Sequence, residues 1–124
     1  MDLGAKLKER TKKMTTNILK SYITDVADFP KKGIIFKDIT SLLESPKGVK
    51  ICLDSLLLGL KNKQIDKVVA VEARGFFFGM LLAQSLKVPF VPVRKPRKLP
   101  QKVVSQSFDL EYGSDVLEMH QNAI

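Results

Sequence analysis

The sequence of 124 residues lacks tryptophan and has only one cysteine and one histidine. Cys52 has no second cysteine with which to form an intramolecular disulfide, so we expect a reducing, cytoplasmic setting. One cysteine and one histidine are also too few for a zinc site built from such ligands. Because no histidine lies near Cys52 in the sequence, we interpret it as a structural thiol rather than a nucleophile.

Long apolar runs are missing as well. No run approaches the roughly 20 apolar residues that span a bilayer, and the N-terminus lacks the apolar core of a secretory signal. We therefore expect no membrane partner. With 44% hydrophobic and 27% charged residues, the composition is ordinary for a soluble globular protein of one small domain.

Acidic residues are few relative to basic ones: 13 against 21, giving a net charge of +8, which predicts an anionic partner. The cations form two clusters. The first, near the N-terminus, is interpreted as a solvated helix face (Lys6, Lys8, Arg10, Lys12, Lys13). The second is stiffened by Pro96 and Pro100 (Arg94, Lys95, Arg97, Lys98, Lys102). Because no aromatic residue is interleaved in this second cluster, we expect no nucleic-acid partner.

Hydrophobic periodicity predicts alternating helices and strands. Proline at position 30 ends the first helix. Further along the chain, strand 67–71, a helix of about thirteen residues (75–87) and strand 88–93 follow one another. This order implies a right-handed parallel crossover between two buried strands. The predicted fold class is α/β, with a parallel sheet and an antiparallel hairpin turned by Gly113-Ser114-Asp115. The predicted helices are 7–27, 46–62 and 75–87, and the predicted strands are 34–36, 67–71, 88–93, 103–112 and 116–120.

Polar residues interrupt the apolar run VVAVEARGFFFGMLLAQSL at Glu72, Arg74 and Gly75, between a predicted strand and helix. Ligands of open α/β sheets bind beyond the carboxyl ends of the strands. The free N–H groups of a helix start attract anions, Gly75 permits close approach, and Arg74 can hold a phosphate through two hydrogen bonds. The alternative is a Glu72–Arg74 ion pair that only tightens the loop.

The second basic cluster begins where the next strand ends, at the same edge of the sheet. We call residues 94–98 the basic loop; it carries four cations in five residues. Two successive strand ends with cations at one edge favour a multiply charged substrate such as a pyrophosphate. A solvated loop or a nucleic-acid patch is the alternative.

Four segments resemble the adenine-specific branch of the type I phosphoribosyltransferase family: DFPKKGIIFKDITSLL (28–43), VEARGFFFG (71–79), VPVRKPRKLP (91–100) and SFDLEYGSDVLEMHQNAI (107–124). The resemblance implies a phosphoribosyltransferase core with an N-terminal hood (residues 1–37), followed by residues 38–124 of the core and a flexible antiparallel hairpin. It implies transfer of 5-phosphoribosyl from phosphoribosyl pyrophosphate to N9 of adenine, giving AMP and pyrophosphate in purine salvage. It further implies Mg²⁺ carried mainly by phosphoribosyl pyrophosphate, and a homodimer.

The resemblance also assigns roles to residues. Phe36 would stack on adenine, the Ile35 backbone would read its edge, and Lys37 stands where relatives usually have arginine. The pyrophosphate would be held by Arg74 and the basic loop (Arg94, Lys95, Lys98), with Glu72 and Gly75 in the same substrate-binding motif and Lys95 acting in catalysis. Arg97 receives no role, because many relatives have another residue there.

The hairpin tip would carry the remaining catalytic groups. In the family this segment closes over the substrates. Glu111 would accept a proton or a hydrogen bond from the purine as N9 attacks, and Tyr112 would shield the reacting groups. His120 is interpreted as structural.

One family element does not occur among residues 1–124: the adjacent acidic pair and Thr-Gly-Gly loop that hold ribose 5-phosphate. We therefore expect an incomplete, C-terminally truncated form of the enzyme, with the 124-residue chain alone inactive. Two alternatives stay open. One is a non-catalytic module that binds a purine or phosphate, and the other is an inactive truncated product.

Overall fold

The computed structural model describes residues 2–110 and 113–124, and it confirms the mixed α/β class. The chain forms two compact units, one ending at Gly59 and the other beginning at Leu60. The sequence predicts a different division, at residue 37, between the hood and the core. That division concerns function and not compactness, and it stays a prediction. Within the described ranges, no helix is both long and apolar enough to cross a membrane.

The first unit contains three helices and a two-stranded antiparallel sheet. The helices are α1 (Leu3–Ser21), α2 (Thr40–Leu43) and α3 (Pro46–Gly59), and the strands are β1 (Thr24–Ala27) and β2 (Ile35–Asp38). Its core includes Leu42 and Gly48, both buried. A Cβ on Gly48 would lie 3.0 Å from Leu42 Cδ1 and 3.1 Å from Tyr22 Cζ, so glycine lets α3 pack closely here.

Two of these helices had been predicted, α1 and α3, and both predictions were wrong at the C-terminal end. The first was expected to reach residue 27, but α1 ends at Ser21 and Thr24–Ala27 forms β1. Pairing of β1 with β2 outweighs the helical spacing of the apolar residues, since β-branched Thr24 and Val26 favour an extended strand. The second was expected to reach residue 62, but α3 ends at Gly59, whose flexibility disfavours further helix.

The second unit is built on the predicted parallel crossover. The elements are β3 (Val68–Val71), α4 (Arg74–Leu86) and β4 (Phe90–Val93), and β3 pairs in parallel with β4 from Val68↔Phe90 to Val71↔Val93. Helix α4 packs against this sheet at Gly79, where a Cβ would lie only 2.7 Å from Ala70 Cβ and 2.8 Å from Phe90 Cε2. Glycine at 79 therefore sets how closely the helix approaches the strands.

The expectation of two fully buried strands was wrong: β4 has Val91 buried but its other three residues half-buried, and β3 is partly exposed. Val68 is buried, but Val69 and Val71 are 46% and 44% exposed. Successive side chains of a strand point to opposite faces of the sheet, and α4 covers only one face. Burial in the described chain consequently alternates along β3.

The predicted hairpin is present, with β5 (Val103–Leu110) antiparallel to β6 (Gly113–His120). The predicted turn at Gly113–Asp115 was wrong, because these residues belong to β6. The pairing continues to Leu110↔Gly113. An isolated antiparallel bridge between Arg94 and Glu118 joins this hairpin to the end of β4.

Candidate active site

The ends of the two parallel strands bring Glu72 and the basic loop together. Val71 is paired with Val93, so the residues that follow each strand emerge at the same edge of the sheet. The Glu72 N–H donates to the Val93 carbonyl at 3.0 Å, which extends the ladder by one step. The peptide bond between Glu72 and Ala73 is cis. The predicted convergence at this edge is therefore present in the fold.

The Glu72 carboxylate binds the start of the basic loop. Its Oε1 accepts hydrogen bonds from Arg94 Nε at 3.0 Å and from Lys95 N at 2.9 Å. The two side chains are well covered, with 15% of Glu72 and 33% of Arg94 exposed. The ion pair of Glu72 thus joins two strand ends, whereas the sequence alternative placed it with Arg74.

These hydrogen bonds favour the ionised form of Glu72. The Lys95 N–H is the largest influence lowering the pKa of this carboxyl, and the Arg94 and Lys98 charges lower it further, against an opposing effect of burial. The carboxylate is therefore charged at neutral pH and can hold the loop electrostatically.

An aromatic pair lies beneath Arg94. The Arg94 guanidinium carbon is 6.0 Å from the centroid of the Phe76 ring, at the outer limit of a cation–π contact. Phe76 packs edge-on against Phe90, with ring centroids 5.6 Å apart. Arg94 is thereby oriented by α4 and β4 as well as by Glu72.

Arg74 and Gly75 occupy the first turn of α4, and Arg74 is exposed. The N-cap, Ala73, supplies no side-chain hydrogen bond to this helix start, and helix starts are a common place for anions to bind. A Cβ on Gly75 would lie 3.6 Å from Ala70 Cβ, an ordinary contact. Packing thus requires glycine at 79 but not at 75, and the role of Gly75 in ligand approach stays a prediction.

The cations predicted to meet the pyrophosphate differ in exposure. Lys95 and Lys98 are exposed, whereas Arg94 is partly covered. Sequence reasoning missed Glu118, whose Oε1 accepts a hydrogen bond from Arg97 N at 2.8 Å. The available signal was a lone acid on the second strand of the predicted hairpin.

The hood residues lie in the first unit, on β2. Ile35 is 60% exposed, and Phe36 is half-buried. The Phe36 ring meets Phe29 edge-on, with centroids 5.1 Å apart. A cavity of about 280 Å³ is lined by Val26, Phe29, Phe36 and Asp38. Sequence reasoning missed Val26 and Phe29, because residue 26 had been assigned to the first helix.

Lys37 pairs with Asp25 across this small sheet. The distance from Lys37 Nζ to Asp25 Oδ1 is 2.6 Å, and the side chains are 63% and 58% exposed. An ion pair so exposed contributes little to stability. Its effect is to hold the lysine ammonium in place beside β1.

Glu111 and Tyr112, the predicted catalytic pair, lie outside the described residues. His120 Nε2 lies 2.8 Å from the Pro100 carbonyl oxygen, a contact that ties the loop before β5 to the end of β6. Burial raises the pKa of the Cys52 thiol, which disfavours a thiolate nucleophile.

Residues 2–110 and 113–124 contain no group of three His, Cys, Asp or Glu side chains that could hold a metal ion. The Glu72 Oε1 atom is already engaged with the basic loop.

We predict a pH-dependent contribution of Glu72 to stability. Because its pKa in the folded protein is below its ordinary value of 4.5, the stabilisation is complete above pH 4.5 and is lost as the pH falls through the lowered value. Urea unfolding should show Glu72→Gln to be less stable than wild type at pH 7, with the difference shrinking below pH 4.5. An equal difference at pH 7 and pH 3 would contradict this assignment.

Comparison with known proteins tests the resemblance. No protein-family profile matches the chain. An adenine phosphoribosyltransferase of Flavobacterium johnsoniae is 58% identical over 106 residues, which cover 86% of this chain and 62% of that protein. The crystal structure of the Thermoanaerobacter pseudethanolicus enzyme of the same name superposes with a TM-score of 0.83 at 48% identity, covering 86% of this chain and 62% of that one.

A third match is a crystal structure from Saccharomyces cerevisiae, an adenine phosphoribosyltransferase complexed with an imino-altritol bisphosphate and adenine. It has a TM-score of 0.84 at 37% identity, covering 90% of this chain and 65% of that one. The chain spans less than two thirds of the length of these relatives. The sequence resemblance is confirmed: this chain is a homologue of the adenine phosphoribosyltransferases and has their fold over the part that aligns.

Proposed function

We propose that the protein functions in purine salvage, transferring 5-phosphoribosyl from phosphoribosyl pyrophosphate to adenine, with AMP and pyrophosphate as products. The observation that carries this proposal is the basic loop, which Glu72 holds at the carboxyl edge of two adjacent parallel strands. That edge is where α/β sheets bind ligands, and four cations in five residues suit a pyrophosphate. Homology to adenine phosphoribosyltransferases supports the same reaction.

Residues at the sheet edge would act on the leaving group. As the bond from the ribose carbon to the pyrophosphate oxygen breaks, negative charge grows on the pyrophosphate and cationic character develops on the sugar. Lys95 and Lys98, both exposed on the basic loop, would offset that negative charge where it develops. Arg74 at the start of α4 would add a bidentate contact, with Arg94 and Glu72 orienting the loop.

The hood would bind the purine. The half-buried ring of Phe36 and the cavity beside it offer an apolar face of the kind on which bases stack. The Ile35 backbone and the Lys37 ammonium would contact the edge of the base. The Saccharomyces cerevisiae relative was crystallised with adenine, which supports a purine site in this fold.

The hairpin tip would supply the proton chemistry. In this proposal Glu111 accepts the N9 proton of adenine or a hydrogen bond from the ring, and Tyr112 shields the reacting groups from water. Excluding water matters because water would otherwise capture the activated sugar.

Three finer assignments belong to the same proposal. Mg²⁺ enters as part of the phosphoribosyl pyrophosphate substrate, consistent with the lack of a three-ligand cluster among residues 2–110 and 113–124. The protein acts in the cytoplasm, where its free Cys52 stays reduced. It forms a homodimer, as the resemblance to the family implies.

We predict that Phe36→Ala weakens adenine binding and spares phosphoribosyl pyrophosphate. A stacked aromatic contributes about 1–3 kcal/mol per base, so the dissociation constant for adenine should rise roughly ten- to hundredfold. Titration calorimetry with each ligand measures both effects in one variant, and phosphoribosyl pyrophosphate serves as the internal control. Equal losses for the two ligands would identify Phe36 as a core residue.

We predict that Lys95→Ala mainly lowers turnover. The charge that Lys95 neutralises grows as pyrophosphate leaves, so kcat should fall roughly a hundredfold while the KM for phosphoribosyl pyrophosphate changes less. The matched control is Lys102→Ala, an exposed lysine beyond the basic loop, for which we expect a change of less than about twofold. Small and similar effects of both substitutions would indicate a solvated loop.

An AMP-formation assay tests the reaction itself. We expect no detectable AMP from residues 1–124 alone, because the family holds the sugar with an acidic pair and a Thr-Gly-Gly loop that this stretch does not contain. Such positioning accounts for roughly 7–11 kcal/mol of barrier reduction, and losing half would slow the reaction by several orders of magnitude.

A fusion of residues 1–124 to the remaining C-terminal part of the Flavobacterium johnsoniae relative should form AMP. Robust synthesis by residues 1–124 alone, free of host enzyme, would overturn the requirement for that segment. A fusion that binds both substrates but forms no AMP would favour a non-catalytic binding module.

A further inference from the structure

One residue of the hairpin, Glu118, makes four hydrogen bonds: three with the basic loop and one with Ser105 of β5. Its main chain pairs with Arg94: Glu118 N donates to the Arg94 carbonyl at 2.7 Å, and Arg94 N donates to the Glu118 carbonyl at 2.8 Å. Its carboxylate accepts from Arg97 N at 2.8 Å and from Ser105 Oγ at 3.0 Å. Ser105 is its cross-strand partner in β5, so this contact holds the carboxylate toward the loop.

The main-chain N–H of Arg97 needs a hydrogen-bond acceptor such as the Glu118 carboxylate. Arg97 has a φ of 66°, in the left-handed region that is unfavourable for residues with a Cβ. Its side chain is exposed, so packing of the arginine does not explain the conformation. The hydrogen bond from its N–H to Glu118 Oε1 gives this conformation a charged, fixed partner.

The loop is therefore held from two sides by carboxylates. Glu72, after β3, binds the Lys95 N–H, and Glu118, in β6, binds the Arg97 N–H. Both acids contact loop main chain at these positions, while the Lys95 and Lys98 side chains are exposed. The arrangement fixes the path of the loop without covering its ammonium groups.

We propose that Glu118 is a positioning residue for pyrophosphate: by fixing the main chain of the basic loop, it sets the placement of the Lys95 and Lys98 ammonium groups. This role rests on the proposed function, in which the loop binds pyrophosphate. It depends on the reach of the carboxylate and not on its negative charge, which by itself would weaken anion binding.

Two substitutions separate reach from charge. Glu118→Asp keeps the charge but shortens the side chain by one methylene, so the carboxylate no longer reaches Arg97 N. Glu118→Gln keeps the length and an acceptor oxygen but removes the charge. The matched control is Asp115→Asn, which removes a carboxylate from the same strand; residue 115 points to the opposite face and accepts from its neighbour Val116 N.

Two measurements on the purified protein test the role. Amide hydrogen exchange at Arg97 should be about tenfold faster in Glu118→Asp, since one charge-assisted hydrogen bond is lost, and near wild type in Glu118→Gln and Asp115→Asn. Calorimetry with Mg²⁺ and inorganic pyrophosphate should show about tenfold weaker binding in Glu118→Asp, with the Gln variant within roughly threefold of wild type.

Unchanged exchange at Arg97 in Glu118→Asp would overturn the proposal, because the anchor would then not hold the loop. Faster exchange with unchanged pyrophosphate affinity would overturn it too, leaving only a structural contact. Tighter pyrophosphate binding in Glu118→Gln with no loss in Glu118→Asp would indicate a charge effect instead. A wild-type protein that binds no pyrophosphate would overturn the proposed function, whatever the exchange data show about the anchor.

Discussion

The hydrogen bonds that Arg94 Nε and Lys95 N donate to the Glu72 carboxylate are the interaction on which the candidate site depends. They connect the segment after β3 to the segment after β4, two stretches separated by the whole of α4. Without them, four neighbouring cations would repel one another and the loop would lose its attachment to the end of β3. With them, the sheet edge presents positive charge at a defined place.

The close approach of α4 to the sheet gives that edge its shape. Gly79 leaves room for Ala70 Cβ and the Phe90 ring, so the helix lies near enough for Phe76 to meet both Phe90 and the Arg94 guanidinium. The helix start, the strand ends and the basic loop are consequently parts of one packed structure. A larger residue at 79 would move the helix and, with it, the cations that α4 supports.

Sequence reasoning succeeded where the information is local and failed where it depends on distant partners. The crossover β3–α4–β4 was predicted because apolar runs of the right length follow one another and a polar break marks their junction. Strand β1 was missed because its conformation depends on pairing with β2, which no local pattern reveals. The ion pair of Lys37 with Asp25 and the cavity beside Phe36 were missed for the same reason.

Acidic side chains beside a basic cluster usually neutralise its charge. Here, Glu72 and Glu118 also bind the main chain of the basic loop. Glu72 binds Lys95 through its main-chain N–H, and Glu118 binds Arg97 in the same way. Each carboxylate accepts a main-chain N–H of the loop with one oxygen, and among the described residues Glu72 also pairs with the partly covered Arg94 side chain. The ammonium groups of Lys95 and Lys98 are therefore exposed and accessible to a ligand. A loop held by its main chain and open at its side chains suits an anion that must be bound and then released, because the cations need no rearrangement between the two states.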